Sequence, residues 1–408
     1  MFYPDLVIIK YMTTYKAAFS IASNSPGAAT GYGVQSMLLA KKLKQEGYDV
    51  AALSNYGLEG SKQEIVTEHG SIPHYPKGLT HYSADALKPW HTDFINDRKI
   101  KNAIITLYDA WVYLGTPDID NLNFWSWTPV DHLTVPPNVL RWAKNSNVKT
   151  IAMSQFGKEQ FAKFGVDAAY IPHSVDTKVY KPTNTINGIP GRQYMGVPDD
   201  AFLVGMIAAN KANGQIHRKA FAENLLAFSM FYKENPNSYL YIHSEPSKVY
   251  GGFNLTNLIQ AVGLPKEAVV FPDPQALRIG YSTEDMAGIY STLDVLLHAS
   301  YGEGFGVPAI EAQACGTRVI GSNWTATPEI LGDDSWLVEG QPFWDEGQTS
   351  FFMIPLVSSL VKALTLASEK RGFSLKSVNF ANQYDTDQVW QKYWRPFIKE
   401  QLKTLTIE

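Results

Sequence analysis

The sequence predicts an α/β protein of two domains, each built on a parallel sheet with a ligand loop at the carboxyl end of its strands. Three observations predict it. At 408 residues the chain exceeds one typical hydrophobic core. Short apolar runs of strand length alternate with longer segments of helical periodicity along most of its length. A strand, a glycine-bearing loop and a helix follow one another twice, at Thr30-Gly31-Tyr32-Gly33 and at Gly302-Glu303-Gly304-Phe305-Gly306. Free amides and the helix macrodipole make such a junction an anion site, with phosphate the natural occupant.

Composition narrows the class. Hydrophobic residues make up 45% and charged residues 18%, as in soluble globular proteins. The formal net charge of −4 and the pI near 6.2 give no general nucleic-acid footprint. Ten Trp and 22 Tyr supply stacking platforms for sugars, although an aromatic core gives the same count. The one cysteine, Cys315, excludes an internal disulfide, no metal-type Cys/His cluster is present, and a reducing compartment fits. The N-terminal apolar run Leu6–Ile9 is too short for a signal segment, and no segment reaches the ~18 apolar residues of a membrane span. The expectation is a cytoplasmic protein, with peripheral membrane contact left open.

The first domain opens with a strand at Ala17–Ala22, the turn cluster Asn24–Gly27, and the loop containing Gly31 and Gly33. A dinucleotide fingerprint fails here: its third glycine position is Ser36, and Ser54 and Asn55 stand where an acid should follow the next strand, Val50–Leu53. The intervening helix carries Lys41, Lys42 and Lys44 beside Glu46 and Asp49, a solvated face on the simplest reading. Residues 56–100 are polar with scattered Pro and His and define no element. Ala103–Leu107 and Asn123–Trp127 read as buried strands, ending at Asp109 and at Asp131-His132. Ligands of parallel α/β sheets bind beyond strand carboxyl ends, so these three are candidate cleft residues, or polar turn-formers. A strand at Thr150–Met153, a helix at Lys158–Phe164 and a strand at Tyr170–Pro172 lead to His173.

Residues 182–200, rich in turn-formers, read as a linker. The second domain starts with a strand at Phe202–Ala208, and Asn210, Lys211, Arg218 and Lys219 follow it. Cations at a strand end suit a diphosphate through charge-assisted hydrogen bonds. The next helix has Phe221, Leu225 and Phe228 on one face, with Leu226 and Met230 alongside. Strands at Leu240–His243 and Val269–Phe271 bracket a helix at Leu255–Val262. The apolar run Leu293–Ala299 then feeds the second glycine loop, and Pro308 suits the first turn of a helix that stops near Gly316. Glu303 and Glu311 bracket this junction with seven residues between them. Carboxylates accept from hydroxyls, so beside a phosphate they suit ribose or sugar. An ordinary glycine turn with solvated glutamates would show the same spacing.

The stretch EGFGVPAIEAQACGTRVI resembles the E-x7-E signature of glycosyltransferase family 4, the retaining nucleotide-sugar enzymes of GT-B fold. The resemblance extends upstream through STEDMAGIYSTLDVLLHASYGEGFG, to AAYIPHSVDTKVYKP (with Ser174 where glycine is usual), to NWTATPEI, and to the terminal helix around Val389, Trp390, Tyr393 and Trp394. It implies two Rossmann-like domains facing an interdomain cleft: 1–182 plus the returning helix 380–408 as acceptor domain, and 195–375 as donor domain. It further implies that a sugar moves from a nucleoside diphosphate donor to a carbohydrate, glycan or other hydroxyl acceptor, with no cofactor and no metal ion.

Residue by residue, the resemblance gives Lys219 and Arg218 the diphosphate, together with the amides around Gly304, Phe305 and Gly306. Glu303 takes the donor sugar's hydroxyls and Glu311 the ribose. The loop of Gly31 and Gly33 lies near the donor phosphates, the backbone after Phe271 near the base, and His173 near the cleft. The family's usual earlier arginine is replaced by Ala209-Asn210-Lys211, leaving Lys211 a weaker candidate. Asp131 or Asp109 orients the acceptor hydroxyl, and no nucleophile is named. In some relatives the helix of Lys41, Lys42 and Lys44 sits on anionic membrane. A phosphorylase or epimerase of the same fold and a non-catalytic nucleotide-sugar-binding protein are the alternatives.

Overall fold

The computed structural model of the protein describes residues 15–212, 216–249 and 251–405. The run Leu6–Ile9 lies outside the described residues. The first sheet has eight strands: β1 (Ala18–Asn24), β2 (Asp49–Tyr56), β3 (Gln63–Thr67), β4 (Gly70–Tyr75), β5 (Asn102–Leu107), β6 (Phe124–Thr128), β7 (Val148–Ala152) and β8 (Ala169–Tyr170). Their order is β3-β4-β2-β1-β5-β6-β7-β8, parallel except for the antiparallel pair β3–β4. Phe19, Ile21, Val50, Ile104 and Ile105 are buried on both faces of this sheet, which is why these strands read as continuous apolar runs. From β1 the chain turns first to β2 on one side and later to β5 on the other. The loops after β1 and β5 therefore open a crevice at the carboxyl edge.

The stretch 56–100, which resisted reading from the sequence, contains the β3–β4 hairpin and a helix at Ala84–Ile95. β3 has no buried residue, so it carries no apolar alternation, and Pro89 interrupts the helical signal. The segment 182–200 holds a minimal hairpin, β9 (Thr185–Ile186) with β10 (Ile189–Pro190), and a short helix, Gly191–Met195.

The second sheet comprises β11 (Phe202–Ile207), β12 (Ser238–His243), β13 (Val269–Val270), β14 (Val295–His298), β15 (Arg318–Ser322) and β16 (Trp336–Val338), all parallel, in the order β13-β12-β11-β14-β15-β16. Its crevice lies where β11 and β14 part, so the cation-bearing loop and the glycine loop are brought side by side. The helix Phe221–Glu234 buries Phe221, Leu225 and Phe228, whereas Leu226 and Met230 remain 41% and 46% exposed.

After β16 the chain forms a hairpin, β17 (Gly340–Asp345) with β18 (Ser350–Pro355), that the sequence reading did not contain. It leaves the second sheet and docks on the first domain, where Leu133 and Phe351 exchange backbone hydrogen bonds of 2.9 and 3.0 Å.

The terminal helix crosses back as expected, through Thr386–Val389, a π turn at Trp390–Trp394, and Arg395–Thr404. Trp394 meets Trp127 at 5.0 Å and Phe397 meets Trp125 at 5.2 Å, edge to face. This packing alters the reading of the basic helix Gly31–Gln45: Lys42 pairs with Asp387, and buried Lys44 pairs with Asp49 at 3.4 Å. Two of the three lysines thus serve internal packing rather than a membrane-facing stripe. Among the described residues no helix is long and apolar enough to cross a membrane.

The domains also meet at Glu329, whose carboxylate accepts from the Gln155 and Phe156 amides at 2.8 and 2.9 Å. Those amides open the helix Gln155–Ala162, so a second-domain anion sits at a first-domain helix N-terminus.

Candidate active site

The glycine loop begins where β14 ends. Ser322, at the end of the neighbouring β15, grips Ser300 through its amide (3.1 Å) and carbonyl (2.5 Å). Thr325 holds Glu303 in the same way, accepting from its amide and donating to its carbonyl, both at 3.0 Å. The backbone is thereby fixed and the Glu303 side chain is aimed at β11's loop. There its Oε1 accepts from Lys219 Nζ at 2.5 Å and from Ser300 Oγ at 2.8 Å, and its Oε2 accepts from Arg218 Nη1 at 3.1 Å. Burial alone would push the Glu303 carboxyl up, but Lys219 and Arg218 together hold it far below the ordinary carboxylate range.

Arg218 reaches further. Its Nη1 donates to the Gly302 carbonyl at 2.5 Å, and its Nε lies 3.7 Å from Asp131 Oδ2 on the first domain. Asp131, just past β6, also takes His132 Nδ1 at 2.6 Å. Burial raises the Asp131 pKa, yet the His132 bond and the nearby Arg218 charge outweigh it, and the carboxyl is held low. Asp109, just past β5, makes no such hydrogen bond among the described residues; burial, reinforced by Asp131, outweighs the charges of Arg218 and His132 and pushes it up to about 7. Two carboxylates with pKa values driven apart in one cleft are the usual arrangement of an acid–base pair. The Tyr32 phenol stands among the charges of Asp109, Arg218, Asp131 and Glu303, and burial raises its pKa first of all.

The expected site residues divide into two groups. Glu303, Lys219, Arg218, Asp131 and Asp109 converge on the cleft between the two sheets. The others are placed differently. Asn210 donates to the carbonyls of Glu245 (3.0 Å) and Phe253 (2.7 Å) and accepts from the Phe253 amide (2.9 Å), so its side chain clamps the 245–253 loop. Lys211 lies with Nζ 5.1 Å from the Tyr56 ring, across the domains. Phe305 is buried against His173 and Tyr384. Glu311 is buried behind the loop, accepting from Tyr290 Oη at 2.7 Å with Tyr180 also donating; burial raises its pKa.

The glycines have distinct reasons. Gly306 has φ of 104°, the left-handed region that favours glycine, and caps the helix Val307–Ala314. A Cβ at Gly302 would lie 2.0 Å from the Asp131 carbonyl, and one at Gly304 would lie 2.4 Å from Pro129. These two permit close approach of the domains, in addition to the amide exposure that the sequence suggested. Gly33 is similarly tight, its Cβ position 2.3 Å from the Ala28 carbonyl, and its amide is taken by the Thr30 cap at 3.1 Å. Gly31 has open space around it, and the Gly31 and Tyr32 amides precede the first intrahelical bonds of their helix.

His173 is packed against Trp127 (4.4 Å), Phe305 (5.3 Å) and Tyr32 (6.3 Å), and burial pulls its pKa down to about 3. Among the described residues both its ring nitrogens are buried without a hydrogen-bond partner, and no group of three or more His, Cys, Asp or Glu is placed to hold a metal ion.

Comparison with solved structures identifies this architecture. The chain superposes on a sucrose-phosphate synthase from Thermosynechococcus elongatus with a TM-score of 0.70 at 18% identity, covering 95% of this chain and 99% of that one. The fold is GT-B. The Anabaena protein HepE, solved in complex with UDP and glucose, shares this GT-B architecture at a TM-score of 0.65 and 17% identity, over 95% of this chain and 100% of that one. Residues 252–345, under a quarter of the chain and running to the end of β17, match the family described as "Glycosyl transferases group 1". The serotype-specific mannosyltransferase WbdA of Escherichia coli is 28% identical over 116 residues, which is 28% of this chain but only 13% of that protein.

Sequence reasoning missed Tyr32, Ser300, Thr325 and Asp345. Tyr32 lies inside a loop already singled out, so an aromatic hydroxyl between two loop glycines was the available signal. The Asp345–His132 contact spans 213 residues and left no local signal.

Proposed function

We propose that this GT-B protein is a retaining glycosyltransferase of family 4 that moves a sugar from a nucleoside diphosphate donor to a hydroxyl of a carbohydrate acceptor. The observation that carries the reading is the charge line across the cleft: Lys219 and Arg218 on Glu303 at the crevice of one sheet, facing Asp131 at the crevice of the other. In this reading Lys219 and Arg218 bind the diphosphate and offset the charge that develops as it leaves. An ammonium has three donors and a guanidinium five, so both can hold phosphate oxygens while keeping a bond to Glu303. Glu303, kept ionised by those cations, accepts from the donor sugar's hydroxyls. Asp109, poised near 7, takes the acceptor hydroxyl's proton, and Asp131 orients that hydroxyl beside Arg218.

The mannosyltransferases among the sequence relatives and the UDP and glucose bound to HepE support a nucleotide-sugar donor. The side-chain cations suit a metal-independent reaction, and a cytoplasmic setting fits the supply of such donors. The test is a thermal-shift panel of UDP, GDP and ADP and their sugars, with and without a chelator. A ligand specific for the native state at 100 times its Kd adds ~2.7 kcal/mol of stability. One base raising the Tm, and one of its sugars raising it further, is expected, followed by product with the donor's anomeric configuration. Absence of any shift across the panel overturns the reading.

A further inference from the structure

The β17–β18 hairpin does more than bridge the domains. Phe352 on β18 stacks on the His132 ring, centroids 3.7 Å apart and planes at 32°. Asp345, the last residue of β17 and buried, places Oδ2 at 3.2 Å from His132 Nε2, while its Oδ1 accepts from the Gly347 amide at 2.9 Å. Ser350 Oγ donates to the Thr134 carbonyl at 2.5 Å, and Leu133 pairs with Phe351. The residues flanking His132 on its C-terminal side are thus bound to the hairpin as well as the ring itself. On the far side of the ring, Nδ1 faces Asp131 Oδ1 at 2.6 Å, and the second oxygen of Asp131 faces Arg218.

A carboxylate at each ring nitrogen sets the protonation state. A neutral imidazole has one N–H and would turn a lone pair toward one of the two carboxylates; only the imidazolium donates to both. The line Asp345–His132–Asp131–Arg218–Glu303 then alternates in sign from one domain to the other. We propose that Asp345 is a positioning residue: through the His132 imidazolium it holds one oxygen of Asp131, so that the other faces Arg218 in the cleft. The consequence for turnover rests on the transferase reading, whereas the state of His132 does not.

The sign of the pH dependence follows from the groups around His132. Burial lowers its pKa, but Asp131 on its own loop and Asp345 on the hairpin together raise it above the ordinary histidine value. Behind Asp131 stand Arg218 and Glu303 from the second domain, and Asp109 lies beyond on β5's loop. A raised histidine pKa means that the clamp is complete at lower pH and is lost as pH rises through the raised value.

The test compares Asp345→Asn, close in shape, with Asp345→Glu, which keeps the charge. His132 is followed by NMR titration of histidine-labelled protein, its signal assigned by loss in His132→Gln. In Asp345→Asn the His132 titration is expected to move to lower pH, and Asp345→Glu to restore most of the shift. With the donor found in the thermal-shift panel, kcat is expected to fall ~10-fold or more in Asp345→Asn, donor KM to stay within about twofold, and the alkaline limb of the rate profile to move down in pH. An unmoved His132 titration in folded Asp345→Asn overturns the proposal. A lowered Tm with an unmoved alkaline limb also overturns it, making the hairpin a strap alone. If the wild-type protein transfers no sugar, the transferase reading falls and the titration still decides the clamp.

Discussion

Glu303 and Glu311 sit on one loop-and-helix segment, 5% and 8% exposed, and occupy opposite electrostatic settings. Glu303 is surrounded by cations and remains ionised far into acid; Glu311 is driven toward its neutral form by burial, which outweighs the hydrogen bonds from two phenols. A spacing of seven residues therefore carries no chemistry by itself. The cations on β11's loop decide the state of the first carboxyl, and burial against the helix Thr283–Thr292 decides that of the second.

The contrast can be broken most severely at Lys219. Lys219→Ala removes one cation from Glu303 and one diphosphate ligand, and kcat is expected to fall ~10²–10³-fold; near-normal turnover would place the diphosphate elsewhere. Glu303→Gln leaves Lys219 without its paired anion and Arg218 with Asp131 alone, and denaturant unfolding at pH 7 should show a loss of ~3 kcal/mol. The same variant should cost rate more than nucleotide affinity, and the reverse pattern would make Glu303 a nucleotide ligand. Because the Glu303 pKa is depressed, its stabilising effect is present above the ordinary glutamate value and is lost only as pH falls through the lower folded value.

Tyr290→Phe removes a donor from Glu311 and should cost ~1–2 kcal/mol; an unchanged midpoint would mean that Tyr180 suffices. Smallest is the stability effect of Glu311→Gln. A carboxyl with a raised pKa stabilises the fold below its unfolded value and loses that effect as pH rises through the folded value. Replacing it should raise the unfolding midpoint slightly near pH 8 and leave it unchanged near pH 4. An equal shift at both would show that Glu311 does not titrate in this range. Weakened donor affinity in this variant would support its ribose role, and unchanged affinity would remove it.

Much of the fold was legible because parallel strands covered on both faces leave apolar runs, as at β1, β5, β11 and β14. The anchors of the site were legible for a related reason: glycine loops and cations occur at strand ends, where a twisted parallel sheet opens its crevice. The β3–β4 hairpin was illegible because β3 buries no side chain, and β17–β18 because the backbone and His132 ring it docks on lie more than 200 residues away in the first domain. The role of Gly302 and Gly304 was read as amide exposure alone, since the backbone they press against lies more than 170 residues away.

By itself the sequence determined which segments form sheets, where the two crevices fall, and which cations and carboxylates lie on loops that can reach them. Those properties depend on side-chain burial and backbone preference within a few residues. Only the tertiary structure decided how those charges pair. Glu303 meets Lys219 across 84 residues, and His132 meets Asp345 across 213. In a buried site the distance to the nearest opposite charge sets whether a carboxyl is ionised, and that distance exists only once the chain has folded, within the second domain for Glu303 and across the domain boundary for His132.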